Sequence, residues 1–233
     1  MKVILVGCEY AGKTTLADRI SGWMVEMFGP EPWGPPHYGW HDHYQMPNVT
    51  HHDMTGDEIQ QVMALSPRMK EVYQRYNIAY HTPTEPNDGD FLMIGFHIDD
   101  AVYGPLYFGY GGEGEYADRR ILSDDIESKI MKYQPDTVLV LLKANPDVII
   151  ERMKSNAHKH QVIKDEDVEL LLERFEEAHT NALMRRKFVI DNSDQTIEET
   201  FSEFVEKFEH HMNEADRRRI LLRNQWNQIG PLA

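Results

Sequence analysis

The chain has 233 residues, enough for one sizeable α/β domain with a core of its own. Its 24 basic and 39 acidic residues give a net charge of −15, which argues against a duplex-binding role, because an acidic chain forgoes the counterion release that drives it. No apolar run is long enough to span a bilayer, and the single cysteine, Cys8, excludes an internal disulfide and fits a reducing cytoplasm.

The first predicted element is a short buried parallel strand, Val3-Ile4-Leu5-Val6. Because it begins at once, no secretory leader is expected. Residues 7–14, Gly-Cys-Glu-Tyr-Ala-Gly-Lys-Thr, then satisfy the phosphate-loop pattern G-x-x-x-x-G-K-[ST] in full. A helix follows, with Leu16, Ile20, Trp23, Met24, Met27 and Phe28 at helical spacing and Gly29-Pro30 as its stop. Strand, glycine-bounded loop and helix in this order aim several backbone N–H groups at the phosphates of a nucleotide. Gly7, Glu9, Ala11, Gly12, Lys13, Thr14 and Thr15 form this predicted site. Lys13 would reach the β/γ-phosphates of ATP, and the Thr14 hydroxyl would hold Mg²⁺. Within the loop Cys8 reads as a small filler, with a redox-sensitive thiol as the alternative.

Residues 29–49 are rich in Pro, Gly and aromatic residues and read as an irregular substrate-side loop around a short strand near Tyr38–Tyr44. Tyr38, Trp40, His41, Asp42, His43 and Tyr44, then His51, His52 and Asp53, invite a metal-site reading, but their spacing is not diagnostic. Rings and polar groups lining an acceptor-base pocket explain this composition better. A helix is predicted from about Thr55, with Asp57-Glu58 in its first turn, and Ser66-Pro67 separates it from a second one. Pro83 to Gly89 is a turn-rich connector. Asp90 leads into a buried strand, Phe91 to Ile98, which runs into a helix start at Asp99-Asp100. Tyr103 to Tyr116 is a glycine-rich aromatic loop, its rings reading either as pocket lining or as core, and a helix spans about Ala117 to Lys132. Thr137 to Leu142 is the clearest core strand, and Asn145-Pro146-Asp147 caps the short helix after it. Asp165 to Arg186 reads as one long helix, Phe188 to Asp191 as a last short strand and Thr196 to Met212 as the last full helix. Asp216 to Ala233 forms a tail with Arg217, Arg218, Arg219 and Arg223 on a terminal helix, read as solvated rather than docked.

Strands alternating with helices imply an α/β fold, a doubly wound and mostly parallel sheet flanked by helices. The expected organisation is a single domain over residues 1–213, with a lid at about 152–164, and a tail over 214–233.

The order of these pieces resembles the thymidylate kinase and deoxynucleoside kinase superfamily of phosphate-loop kinases. Three stretches carry the resemblance. Gly7 to Thr14 is similar to the thymidylate kinase loop, which has an acid at the position of Glu9, facing the acceptor sugar; Tyr10 stands where a glycine is usual. Phe96 to Gly104 is similar to the segment after the family's third strand, although Ile94-Gly95 stands where an acid–arginine pair is expected. The resemblance offers Asp99 or Asp100 for the acid, and Arg119 or Arg120 for the arginine. Leu141 to Val148 with Glu151-Arg152-Met153-Lys154 is similar to the strand and helix that lead into a basic lid, here carrying Lys154, His158, Lys159, His160 and Lys164. Phe188 to Ser193 resembles the final strand, after which family members contact adenine with backbone.

The resemblance implies an ATP- and Mg²⁺-dependent kinase acting on a nucleoside monophosphate or a deoxynucleoside. It implies a cytoplasmic protein, without membrane or duplex nucleic-acid partners, and a homodimer formed through helices that flank the sheet. The expected catalytic residues are Lys13 on the phosphates, Arg152 on the transferring group and Asp99 as general base or as a holder of Mg²⁺ through water. Arg152 also reads as a solvated arginine at a helix end, and Asp99 or Asp100 as a plain N-cap. A kinase with an unrelated hydroxyl acceptor and a degenerate nucleotide binder are the competing functions. A slow-hydrolysing switch lacks an N-K-x-D element.

Overall fold

The long apolar runs become the centre of a five-stranded sheet. The structure, a computed structural model, describes residues 1–28, 41–42, 54–86, 89–158 and 161–229. Strands β1 (Lys2–Val6) and β4 (Val138–Lys143) lie side by side, and every residue of β1 is buried. The short β3 (Phe91–Ile94) flanks β1, β5 (Arg186–Asp191) flanks β4, and the two-residue β2 (His41–Asp42) forms the edge beyond β3. All neighbours pair in parallel, in the order β2-β3-β1-β4-β5. Parallel strands buried on both faces read as continuous apolar runs, which is why β1 and β4 were legible without alternation.

Helix α1 (Lys13–Phe28) packs against α8 (Ile197–Glu209) and α9 (Glu214–Ile229). Trp23 provides much of that contact, standing edge-on to Phe28, Phe201, Phe204 and Phe208 at 6.1–6.4 Å. Helix α4 (His97–Tyr103) packs against α5 (Arg119–Tyr133) and α7 (Val168–Asn181). The two groups lie on opposite faces, as right-handed crossovers running in opposite directions from the sheet centre require. Helices α2 (Gly56–Ala64), α3 (Pro67–His81) and α6 (Pro146–Ser155) complete the set. Thr55 and Thr196 each close a capping box with the glutamate three residues on, so α2 and α8 begin where threonine and early acids predict.

Four predicted boundaries need correction. The strand expected over Phe91–Ile98 ends at Ile94, because Gly95 and Phe96 both turn to positive φ (78° and 73°) and swing the chain into α4. The helix start therefore falls at His97, with Phe96 as N-cap, and neither Asp99 nor Asp100 caps it. The helix expected over Asp165–Arg186 is a 3₁₀ turn, Asp165–Asp167, followed by α7, which stops at Asn181; the chain then extends so that Arg186 can pair with Val138 and open β5. The loop expected from Tyr103 begins with one turn of π-helix, Gly104–Phe108. The terminal helix is docked at its start rather than solvated: Asp216 is buried, and Arg219 donates two hydrogen bonds to Asp90 while covering the Phe28 ring.

The predicted irregular stretch over residues 29–49 lies outside the described residues, apart from the backbone of His41 and Asp42. So do His51, His52 and Asp53, part of the Pro83–Gly89 connector, and Lys159 and His160. Among the described residues no helix is long and apolar enough to cross a membrane.

Candidate active site

The phosphate loop leaves β1 at the carboxyl end of the sheet, where connections depart toward β2 and β3 on one side and β4 on the other. Such a switch point opens the crevice in which doubly wound sheets bind ligands. Gly7 is required there by close approach: a Cβ at this position would stand 2.2 Å from the Leu142 carbonyl oxygen. The Leu16 N–H donates to the Gly12 carbonyl at 3.0 Å and begins the helical ladder, so the amides of Lys13, Thr14 and Thr15 precede it, as in any helix first turn. Thr14 and Thr15 are exposed at that end of α1.

The Lys13 ammonium folds back on its own loop. It donates to the Gly7 carbonyl and to the Cys8 carbonyl (3.2 Å), and lies 3.5 Å from Asp99 Oδ2. Two residues separated by 86 positions are thus brought together, because β3 and β1 are neighbours and α4 starts at the end of β3. Asp99 is 3% exposed. The next residue turns elsewhere: Asp100 takes the Arg119 guanidinium (Nε, 2.6 Å) and the Tyr110 hydroxyl (2.7 Å). Arg119 also donates to Glu71 on α3 at 2.9 Å and lies over the Tyr110 ring. Burial, opposed by Arg119, raises the Asp100 carboxyl to about 6. An acid–arginine pair therefore exists beside this strand, assembled from α4 and α5 instead of Ile94-Gly95. Arg120 remains at the surface with Asp118 and Glu113.

Glu9 sits at the mouth of the loop, its N–H donating to the Tyr103 hydroxyl at 2.9 Å. Tyr103, Phe108 and Tyr110 are all buried in the core, whereas Tyr107, half-buried, donates to Asp167 (2.9 Å) and Tyr116 is exposed beside Arg68 and Arg75. Burial pushes the Cys8 thiol up to about 12, which makes it the filler and not the redox centre.

Arg152, in the last turn of α6, is no solvated side chain. Its Nη1 donates to the Tyr10 carbonyl (3.0 Å) and to Asn192 Oδ1 (3.3 Å), and its Nη2 to the Asn192 carbonyl (3.3 Å). Asn192 in turn donates to the Ala11 carbonyl at 2.8 Å. Sequence reasoning passed over Asn192 as a side chain, although its place directly after the last strand marks the crevice edge. Of the lysines expected in the lid, Lys154 and Lys164 are exposed, and among the described residues they pair with Asp165 and Glu166, at 3.8 and 3.7 Å. Glu71 was missed for another reason: polar residues on the core-facing side of α3 (Lys70, Glu71, Gln74) hide its helical period.

No protein-family profile matches the chain, and no curated protein matches it in sequence. Solved structures do. The YorR protein of Bacillus subtilis, in complex with phosphorylated GDP, is 19% identical over 92% of this chain and 100% of that one, with a TM-score of 0.55. Thymidylate kinase from Candida albicans is 12% identical over 91% of this chain and 95% of its own, at 0.53. A deoxyadenosine kinase from M. mycoides, with products bound, is 14% identical over 91% and 100%, at 0.54. At these identities the likeness shows the fold, which is that of the phosphate-loop kinases.

Proposed function

We propose that the chain is an ATP-dependent phosphotransferase that moves the γ-phosphate to a nucleoside monophosphate or a deoxynucleoside. One observation carries the reading: a complete phosphate loop at the switch point of the sheet, with Lys13 held between its own carbonyls and the buried carboxylate of Asp99. The fold of its structural neighbours agrees with it.

Phosphoryl transfer asks a protein for positioning and charge neutralisation more than for covalent chemistry. Amides of residues 12–14 and the Lys13 side chain hold the donor phosphates, once the ammonium swings from the Gly7 and Cys8 carbonyls onto them. Thr14 and Asp99 would offer the hard oxygen donors that suit Mg²⁺, which would supply charge neutralisation at the phosphates. Arg152, fixed by Tyr10 and Asn192, brings a positive charge to the donor side, with a truncation cost of about 3 kcal/mol or more by analogy with arginine fingers. Glu9 faces the acceptor. Asp99 serves as base where the acceptor is a hydroxyl; a monophosphate acceptor needs none.

A degenerate nucleotide binder is the second reading, favoured by the engagement of Arg119 with Asp100 and Glu71. Coupled ADP release with ATP·Mg²⁺, across ribo- and deoxynucleosides and their monophosphates, separates the two. Turnover with one acceptor is expected, falling about a hundredfold or more in Lys13→Ala. ATP binding without turnover on any acceptor sinks the nucleotide kinase.

A further inference from the structure

Tyr10 occupies a backbone conformation that glycine should have. Its φ is 63°, in the left-handed region where a bulky side chain is a genuine outlier. A strained position persists only where the surroundings over-determine it. Here they do: the ring is 7% exposed and stacks on His158 with centroids 4.0 Å apart and planes 18° from parallel. The Tyr10 hydroxyl accepts from the His158 N–H and donates to Gln161 Oε1, both at 2.9 Å. Gln161 donates onward to the carbonyl of Ile163, whose side chain is in the core.

The same residue acts through its main chain as well. The Tyr10 carbonyl takes Arg152, Arg152 takes Asn192, and Asn192 takes the Ala11 carbonyl. A ring of hydrogen bonds thus closes around the 10–11 peptide, and a second bridge, through the Tyr10 side chain, leads to the segment after α6. Both bridges begin at the part of the loop whose amides must face phosphate. A glycine would relieve the backbone but could form only the first.

We infer that Tyr10 is a positioning residue for the donor triphosphate: its side chain fixes His158 and Gln161, and its carbonyl fixes Arg152, beside the phosphate loop before the nucleotide arrives. The inference rests on the nucleotide reading of this site. Pre-ordering of this kind appears as affinity, because the cost of fixing those groups is met before binding. Stability is a separate readout: relief of the φ penalty offsets only part of what a buried, stacked ring contributes.

The test pairs Tyr10→Gly and Tyr10→Phe with the parent chain, using calorimetric ATP·Mg²⁺ binding, melting temperature and amide hydrogen exchange at His158. In Tyr10→Gly, ATP should bind about tenfold more weakly, as loss of two modest hydrogen bonds predicts, and the melting temperature should fall with the lost ring. Tyr10→Phe keeps the ring and should recover part of the affinity, while His158 exchanges faster in both variants. Parental ATP affinity in Tyr10→Gly, or unchanged exchange at His158, overturns the inference. Parental affinity beside a lower melting temperature would make the residue merely structural. A parent chain that fails to bind ATP defeats the nucleotide reading itself, and this inference with it; the parental control tells that failure from the others.

Discussion

Cys8 lies inside the loop that would hold phosphate, with 1% of its surface exposed and the Tyr103 hydroxyl beside it. Lys13 works to lower its pKa, yet burial dominates and takes the thiol to about 12. At pH 8 the thiolate is then about one part in ten thousand, far below an ordinary cysteine. A disulfide reagent such as dithiobis-nitrobenzoate should leave the native chain unlabelled at pH 8 and react with one thiol on denaturation in urea. Rapid labelling of the native chain would restore a redox role. The neighbours Asp99 and Asp100 show what single residues withhold. Both read as helix-start acids, but consecutive helical positions point about 100° apart, so one meets Lys13 and the other Arg119. No feature of the Asp-Asp pair records that difference, whereas Lys13, Thr14 and the glycines were legible because a short motif encodes a backbone shape.

At the scale of elements, two glycines close in sequence carry opposite predictions. Gly22 lies on the exposed face of α1, with nothing within 4 Å of an added Cβ, so Gly22→Ala should raise stability by about 1 kcal/mol through helix propensity. Gly7 has φ 149° and meets the Leu142 carbonyl, so Gly7→Ala should cost about 3 kcal/mol by forcing the loop off β4. Urea unfolding of both variants checks the pair; equal effects would mean that the loop does not lie against β4. The same contrast explains which elements could be read. Strands β1 and β4 are uniform apolar runs and α1 has one clean stripe, so pattern and structure agree. The run Phe91–Ile98 stays apolar across the turn at Gly95-Phe96, because both the strand and the start of α4 are buried, and hydrophobicity alone cannot mark a boundary between two buried elements. Leu183 also continues the apolar spacing of α7 after the helix has ended, although its side chain is exposed.

Considered as a whole, the molecule keeps its chemistry and its fastening at opposite ends of the sheet. The phosphate loop, Asp99, Arg152 and Asn192 gather at the carboxyl ends of the strands. At the amino ends, the Met1 amino group and Arg219 converge on Asp90, which immediately precedes β3, and Asp216 joins them. Helix α9 thereby ties the starts of two central strands to the face of α1. Burial alone would raise the Asp90 carboxyl, but the Arg219 hydrogen bonds and the Met1 ammonium hold it below its ordinary value. A carboxylate with a depressed folded pKa contributes stability that is present above its unfolded value and lost as pH falls through the folded one. Arg219→Ala should therefore lower the unfolding free energy by about 2 kcal/mol at pH 7, the worth of hydrogen bonds to a charged group. The difference from the parent should shrink below about pH 4, as Asp90 takes up its proton in both chains. ATP affinity should not change, because Asp90, Asp216 and Phe28, which Arg219 meets, lie away from the loop's end of the sheet. A pH-independent difference would mean that Arg219 acts through its cover of Phe28 and not through Asp90. A loss of ATP affinity would mean that the two ends of the sheet are coupled.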